Sequence, residues 1–378
     1  MDGQLAIPAT ALFDAPATPE TGGSKTLRGG SAAMPAMLVV KNLKKYFPVK
    51  GGLLNREIGN VHAVDDISFT VFKGETLGVV GESGCGKSTL ARLLMYLMPP
   101  DSGEIAFGGR TVGDKDGLPL RELRRNLQMV FQDSYSSLNP RLPVEASVAY
   151  GPRVHGMSGD KAREAARSLL GKVGLRPELF GPRYPHELSG GQKQRVNIAR
   201  ALALDPKMLI LDEAVSALDK SVEAQVLNLL RQLKREFDLT YLFISHDLNV
   251  VQYISDRVMV MYLGQVVEMG PVDQIYNGPK HPYTAALLRS RLAMDPDDKI
   301  VTPPLTGDPP NPINPAPGCR FRSRCQFAEG ICESKAPALG AWANRGSHVA
   351  ACHMADPQSG HTRAGTAAHD ALAGEAIR

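Results

Sequence analysis

No stretch of about 18 apolar residues occurs in the chain, so the sequence offers no membrane-spanning helix. The first residues lack a positive stretch followed by an apolar one. No secretory signal is expected, and the chain is read as cytosolic. A charge excess is missing too. The 43 basic and 39 acidic residues leave a formal net charge of +4, too small a bias on 378 residues to indicate nucleic acid as a partner. No internal repeat is visible. Cysteines number only five, and in a cytosolic protein disulfides among them are not expected.

What is present is enough apolar material for a sizeable core. Residues 1–35 are rich in Ala, Pro, Thr and Gly and read as a disordered tail, as does the stretch 354–378. Between them, apolar runs bounded by turn residues alternate with helical stretches. Met37–Val40, Ala63–Val71, Thr76–Val80, Met208–Leu211 and Tyr241–Ile244 read as strands. Ser88–Leu97, Asp160–Val173, Val222–Phe237 and Leu248–Ile254 read as helices, and Val258–Met269 as a hairpin around Gly264. This alternation predicts an α/β fold with a largely parallel sheet. Six prolines between 303 and 315 mark a linker within 303–317, and a small cysteine-bearing segment follows it.

Gly81-Glu82-Ser83-Gly84-Cys85-Gly86-Lys87-Ser88-Thr89 matches the phosphate-loop pattern G-x-x-x-x-G-K-[ST]. The glycines let the backbone aim N–H groups at phosphate oxygens. Lys87 brings a point charge to the β- and γ-phosphates, and Ser88 offers a hydroxyl to Mg²⁺. The preceding apolar strand and following helix are the context this loop requires, and they disfavour a chance glycine loop. Met208-Leu209-Ile210-Leu211-Asp212-Glu213 is an apolar strand ending in two acids, at the sheet edge where open α/β folds bind ligands. Asp212 is placed to hold Mg²⁺ and Glu213 to polarise an attacking water. Alone this pattern is weak, because many strands end in acids. Cys85 reads as a small residue filling its loop position.

At Leu188-Ser189-Gly190-Gly191-Gln192 the chain resembles the ABC ATPase family, and the resemblance covers about 37–353. Physically, Ser189 can cap a helix whose glycines expose N–H groups to an anion. The resemblance makes Ser189, Gly190, Gly191 and Gln192 the signature motif, which closes on nucleotide held by a partner subunit. Further positions match in order. Gln132 resembles the glutamine that contacts Mg²⁺ or water, Ser216–Asp219 the segment at the dimer seam, and His246 the switch histidine near the γ-phosphate. Tyr46 or Phe47 looks like the aromatic that stacks on adenine, with core packing as the plain alternative. Ala214-Val215 follows Glu213 where Pro-Thr is usual, which removes no catalytic group.

The family implies an ABC-type P-loop ATPase over 37–277, with a mostly parallel core sheet, an antiparallel β subdomain and a helical subdomain at about 133–200. The implied reaction is hydrolysis of ATP with Mg²⁺, carried by Lys87, Gln132, Glu213 and His246. Asp219 is implied to join the nucleotide contacts.

Two features narrow the resemblance. Gly278–Leu292 and the set Cys319, Cys325, Cys332 and Cys352 are similar to the extension, here 278–353, of ATPases from oligopeptide and dipeptide importers. Lys44–Gly52 looks like the second ATPase of such a pair. Four thiolates can hold a [4Fe–4S] cluster or a zinc ion, or simply stay reduced. The spacings of five, six and nineteen intervening residues contain no close pair, which counts against a zinc ribbon. The family implies the cluster. It also implies two integral membrane permease subunits, a second homologous ATPase subunit, an extracytoplasmic peptide-binding protein, and a place at the cytoplasmic face of the inner membrane. A nickel importer of the same family is the alternative. A soluble ABC protein fits less well, since there is one phosphate loop and no room between Gln132 and Ser189 for a coiled coil.

Overall fold

A computed structural model describes residues 35–51, 56–133, 136–290, 310–340 and 346–375. The expected tail at 1–35 lies almost wholly outside the described residues, as does much of the proline-rich linker.

The apolar runs form two sheets. β1 (Ala36–Gly51) and β2 (Arg56–Phe72) pair antiparallel along their length. β3 (Thr76–Val80) belongs to the other sheet. β4 (Ser102–Phe107) pairs antiparallel with β1, and β5 (Arg110–Thr111) completes a four-stranded sheet. β6 (Leu127–Val130), β7 (Met208–Asp212), β8 (Thr240–Ile244), β9 (Arg257–Tyr262), β10 (Gln265–Pro271) and β11 (Val349–Ala350) join β3 in a seven-stranded sheet. Its order is β11–β10–β9–β3–β8–β7–β6. From β6 to β9 the neighbours are parallel, whereas β10 and β11 run antiparallel at one edge.

Every residue of β3, β7, β8 and β9 is buried, as expected where both faces of a parallel sheet are covered. Their side chains still alternate. Leu209, Leu211, Tyr241 and Phe243 enter one core, and Ile210, Leu242 and Ile244 the other. The second core is closed by α1 (Lys87–Leu94) and the four-stranded sheet, with Leu90, Leu93 and Leu94 facing Leu38, Val40 and Phe69. Each such fully buried leucine or phenylalanine contributes about 1.5–3 kcal/mol from leaving water.

The first core is closed by helices. After α2 (Leu120–Asn126), the helical segment comprises α3 (Val144–Val154), α4 (Gly159–Lys172) and α5 (Pro177–Phe180), and α6 (Gly190–Leu202) returns the chain to the sheet. α4 buries Ala162, Ala166 and Leu170 at four-residue spacing, a narrow stripe with small residues that suits close packing on α3. α7 (Lys220–Glu236) buries Val226, Leu229, Leu230 and Leu233, one helical face, beside α8 (Leu248–Ile254).

Beyond the sheet come α9 (Val272–Asn277), α10 (Pro282–Arg289), α11 (Gly330–Ser334) and α12 (Ala368–Glu375). The described residues after 278 do not stand apart, since Tyr283 and Phe321 sit in the first core and the described residues from 35 onward form one compact unit. β11 lies on β10, with Ala350 opposite Glu268 and Val349 opposite Met269. The stretch 354–378, expected to be disordered, is folded where it is described. Met354 and His361 are buried, the Thr366 N–H donates to Met354 O at 3.0 Å, and the Ala368 N–H donates to Lys280 O at 3.2 Å. Its composition offers few large apolar groups. Histidine and backbone hydrogen bonds, with the small buried Ala368 and Ala371, make up the packing that composition alone does not announce.

Candidate nucleotide site

Four adjacent parallel strands end side by side, and each delivers one predicted residue or loop just past its carboxyl end. The Gly81–Thr89 loop follows β3, His246 follows β8, Glu213 follows β7 and Gln132 follows β6. Strand order therefore fixes the order of the chemistry across the edge.

The loop wraps the start of α1. Gly86 has φ +106°, and a Cβ there would lie 2.1 Å from the Ala63 carbonyl oxygen, so only glycine fits. Lys87 is buried, and its ammonium donates to the carbonyls of Gly81 at 2.8 Å and Glu82 at 3.0 Å. Cys85 is buried with its sulfur 3.7 Å from that ammonium, and burial pushes its thiol above the ordinary range. The Ser88 hydroxyl donates to Asp212 Oδ1 at 3.3 Å. Asp212 is buried, and desolvation, joined by the charge of Glu213, raises its carboxyl above the usual carboxylate range.

Glu213 takes φ +48°, the left-handed region, which costs a side-chain-bearing residue roughly 1–2 kcal/mol. Its N–H donates to Ile244 O at 2.9 Å, and its carbonyl accepts from the Ser216 hydroxyl at 3.0 Å. Held this way, its carboxylate accepts from Gln132 Nε2 at 2.9 Å and lies 3.4 Å from His246 Nδ1.

These groups surround a cleft of about 660 Å³ lined by Phe47, His62, residues of the glycine loop, Gln132, Glu213 and His246. Of the two aromatics expected near adenine, Phe47 is on the lining. The Tyr46 ring stacks on His62 at 3.9 Å between centroids, and its hydroxyl donates to Asp65. Ser189–Gln192 and Asp219 are absent from the lining. Ser189 instead caps α6 in a reciprocal box, where Gln192 N–H donates to its hydroxyl at 3.4 Å and Gln192 Oε1 accepts from its N–H at 3.0 Å. Asp219 is the residue before α7. Sequence reasoning missed His62, Leu263 and Pro312, which also line the cleft. They come from distant parts of the chain and carry no local motif.

The four-cysteine expectation is corrected. Among the described residues, no group of three or more His, Cys, Asp or Glu side chains is arranged to hold a metal ion. Cys319, Cys325, Cys332 and Cys352 do border one gap, with His281, His353 and His361, but it measures about 20 Å³. That is about the room one water needs, far less than an iron–sulfur cube. Burial pushes the Cys325 thiol up to about 12 and the Cys352 thiol to about 11, so both are neutral thiols here. Cys325 and Cys352 pack instead against Phe327 and Met354 as small apolar groups. No group arranged to hold a zinc ion occurs among the described residues either.

The described residues contain no helix long and apolar enough to cross a membrane. The ABC transporter family model matches residues 64–216, and the model for the oligopeptide/dipeptide transporter C-terminal region matches 267–332. The chain is 47% identical over 331 residues to the oligopeptide transport ATP-binding protein AppF of Bacillus subtilis, covering 86% of this chain and 99% of that protein. It is 47% identical over 321 residues to the dipeptide transport ATP-binding protein DppF of Escherichia coli, covering 85% and 95%. Among solved structures, the dimeric post-hydrolysis state of the ATP-binding cassette MJ0796 bound to ADP and phosphate aligns with a TM-score of 0.55 at 30% identity. That alignment covers 62% of this chain and 99% of the cassette.

Proposed function

The chain belongs to the ABC transporter ATP-binding proteins that carry the oligopeptide/dipeptide type of C-terminal region, and from that premise we propose that it hydrolyses ATP to drive import of di- and oligopeptides. The observation that carries the reading is the meeting of Gln132, Glu213 and His246 beside the Lys87–Ser88 loop in one cleft.

Lys87 holds the phosphates by charge, and the loop N–H groups orient them. Glu213 accepts a proton from the attacking water, with Gln132 and His246 fixing its carboxylate. The hydroxyl of Ser88, the carboxylate of Asp212 and the amide oxygen of Gln132 are hard oxygen ligands of the kind Mg²⁺ takes. A buried Asp212 beside a second acid, raised in pKa by both, is a pair of charges that a cation would relieve. Bound there, Mg²⁺ supplies neutralisation of phosphate charge. Phe47 faces the base, and His62, stacked on Tyr46, lines the same cleft.

The signature residues Ser189, Gly190, Gly191 and Gln192, with Asp219, serve a cleft on a second, homologous ATPase subunit. That placement fits their distance from the chain's own cleft lining. The partner set is completed by two integral membrane permeases, with a peptide-binding protein outside, and the chain works at the cytoplasmic face of the membrane. A tagged full-length chain expressed with its native partners should co-purify with integral membrane proteins and hydrolyse ATP. Deleting it should abolish uptake of a labelled dipeptide. Unaltered dipeptide uptake in the deletion strain, or recovery of no membrane protein, overturns the reading.

A further inference from the structure

The glycine loop is held from outside the cassette. Glu82, its second residue, has all three of its polar groups engaged. Its carbonyl accepts from Lys87 Nζ at 3.0 Å. Its N–H donates to the Tyr283 hydroxyl at 2.9 Å. Its carboxylate accepts from both Arg324 terminal nitrogens, at 2.8 and 3.1 Å. Tyr283 and Arg324 lie in the C-terminal region matched at 267–332.

A two-pronged guanidinium–carboxylate pair fixes direction as well as distance. The Arg324 side chain is only 5% exposed, and Glu82 compensates its charge there, with the Tyr262 hydroxyl accepting at 3.5 Å. The supporting turn, Arg322–Arg324, is anchored by Phe321, whose ring packs on Tyr262 at 5.4 Å and Tyr283 at 5.5 Å. Four residues before Arg324, Arg320 reaches another wall of the cleft. It pairs with Asp65, which takes the Tyr46 hydroxyl, and donates to the carbonyl of Leu263 on the lining.

We propose that the C-terminal region is a positioning element for nucleotide: Arg324 and Tyr283, acting through Glu82, set where the Lys87 ammonium stands, so displacement of this region lowers nucleotide affinity. This deepens the reading of the cleft as the ATP site and rests on it. Neither residue touches the nucleotide; both act through the loop.

The test uses the full-length chain with its native partners, measuring KM for MgATP, kcat, and Kd for a fluorescent ADP analogue. Arg324→Gln should raise Kd and KM roughly 10-fold while kcat changes less than about 3-fold. Arg324→Lys, which keeps charge but loses the fork, should recover part of the loss. Glu82→Gln should cost a similar amount, and adding it to Arg324→Gln should cost little more. Tyr283→Phe, a single-atom change, should raise Kd about 3-fold. A purely structural role would lower the melting temperature without splitting KM from kcat. Folded Arg324→Gln and Tyr283→Phe proteins that bind ADP within twofold of native overturn the proposal. Should Arg324→Gln fail to fold, Tyr283→Phe decides alone. Lys87→Ala in the same assay separates the two readings. Unchanged ADP binding there would refute the ATP site itself.

Discussion

The side-chain amide of Gln132 donates to the carboxylate of Glu213 at 2.9 Å, across 81 residues of sequence. The contact exists because β6 and β7 are sheet neighbours that end at the same edge. It joins the segment leading into the helical part of the chain to the group proposed to accept the proton of water.

Glu213→Gln keeps the shape of this group and removes its ability to take a proton. Turnover should fall by about 10²–10⁴-fold while ATP still binds. Phosphate release and nucleotide fluorescence measured on the same preparation decide it. Turnover near the native rate would remove Glu213 from its role.

Gly86→Ala forces a side chain into left-handed backbone and drives its Cβ against the Ala63 carbonyl. The strain alone is roughly 1–2 kcal/mol, and the clash adds to it, so a loss of at least about 2 kcal/mol is expected. Denaturant melts should show it, accompanied by weaker ADP binding. A stable variant with native affinity would mean that the loop relaxes more freely than its packing implies.

Much of this site was legible beforehand, and the reason is local. Gly81–Thr89 and Asp212–Glu213 each lie at one strand end and its loop, and the Ser189–Gln192 cap lies at one helix start. His62, Leu263, Pro312, Arg320 and Arg324 act only after the sheet has brought distant segments together. No window of sequence contains both Glu82 and Arg324. The cysteine expectation failed for a related reason, because four thiols spaced along a chain say nothing about the volume left between them. The folded stretch after 354 was hidden because small residues and hydrogen bonds, rather than an apolar stripe, hold it.

The buried thiols give a chemical prediction. With Cys325 raised to about 12 and Cys352 to about 11, the reactive thiolate is scarce at pH 8. Alkylation by iodoacetamide should be roughly 100-fold or more slower in the native chain than in urea. Mass spectrometry of labelled peptides reads this directly. Native-state labelling at the rate of a free cysteine would contradict the packing described.

His281 gives a pH prediction. It is fully buried, burial lowers its pKa to about 4, and its Nδ1 accepts from the Tyr283 N–H at 3.0 Å. The unfolded chain titrates this group near 6.5, so the unfolded state binds more protons between about pH 6.5 and 4. The stability it contributes is whole above pH 6.5 and is lost as pH falls toward 4, by up to about 3 kcal/mol. His281→Asn should flatten the acid limb of a stability-versus-pH curve. An unchanged slope across that window would show that His281 does not carry it.

The two-residue pairing of Val349–Ala350 on β10 has a practical meaning for anyone cutting the chain. It occupies hydrogen-bonding groups on the outer side of the sheet's last long strand. A fragment stopped before the distal segment would leave β10 as a bare rail, ready to accept a strand from another molecule. Such a fragment would be prone to self-associate into sheet-to-sheet aggregates even with every nucleotide-contacting side chain in place.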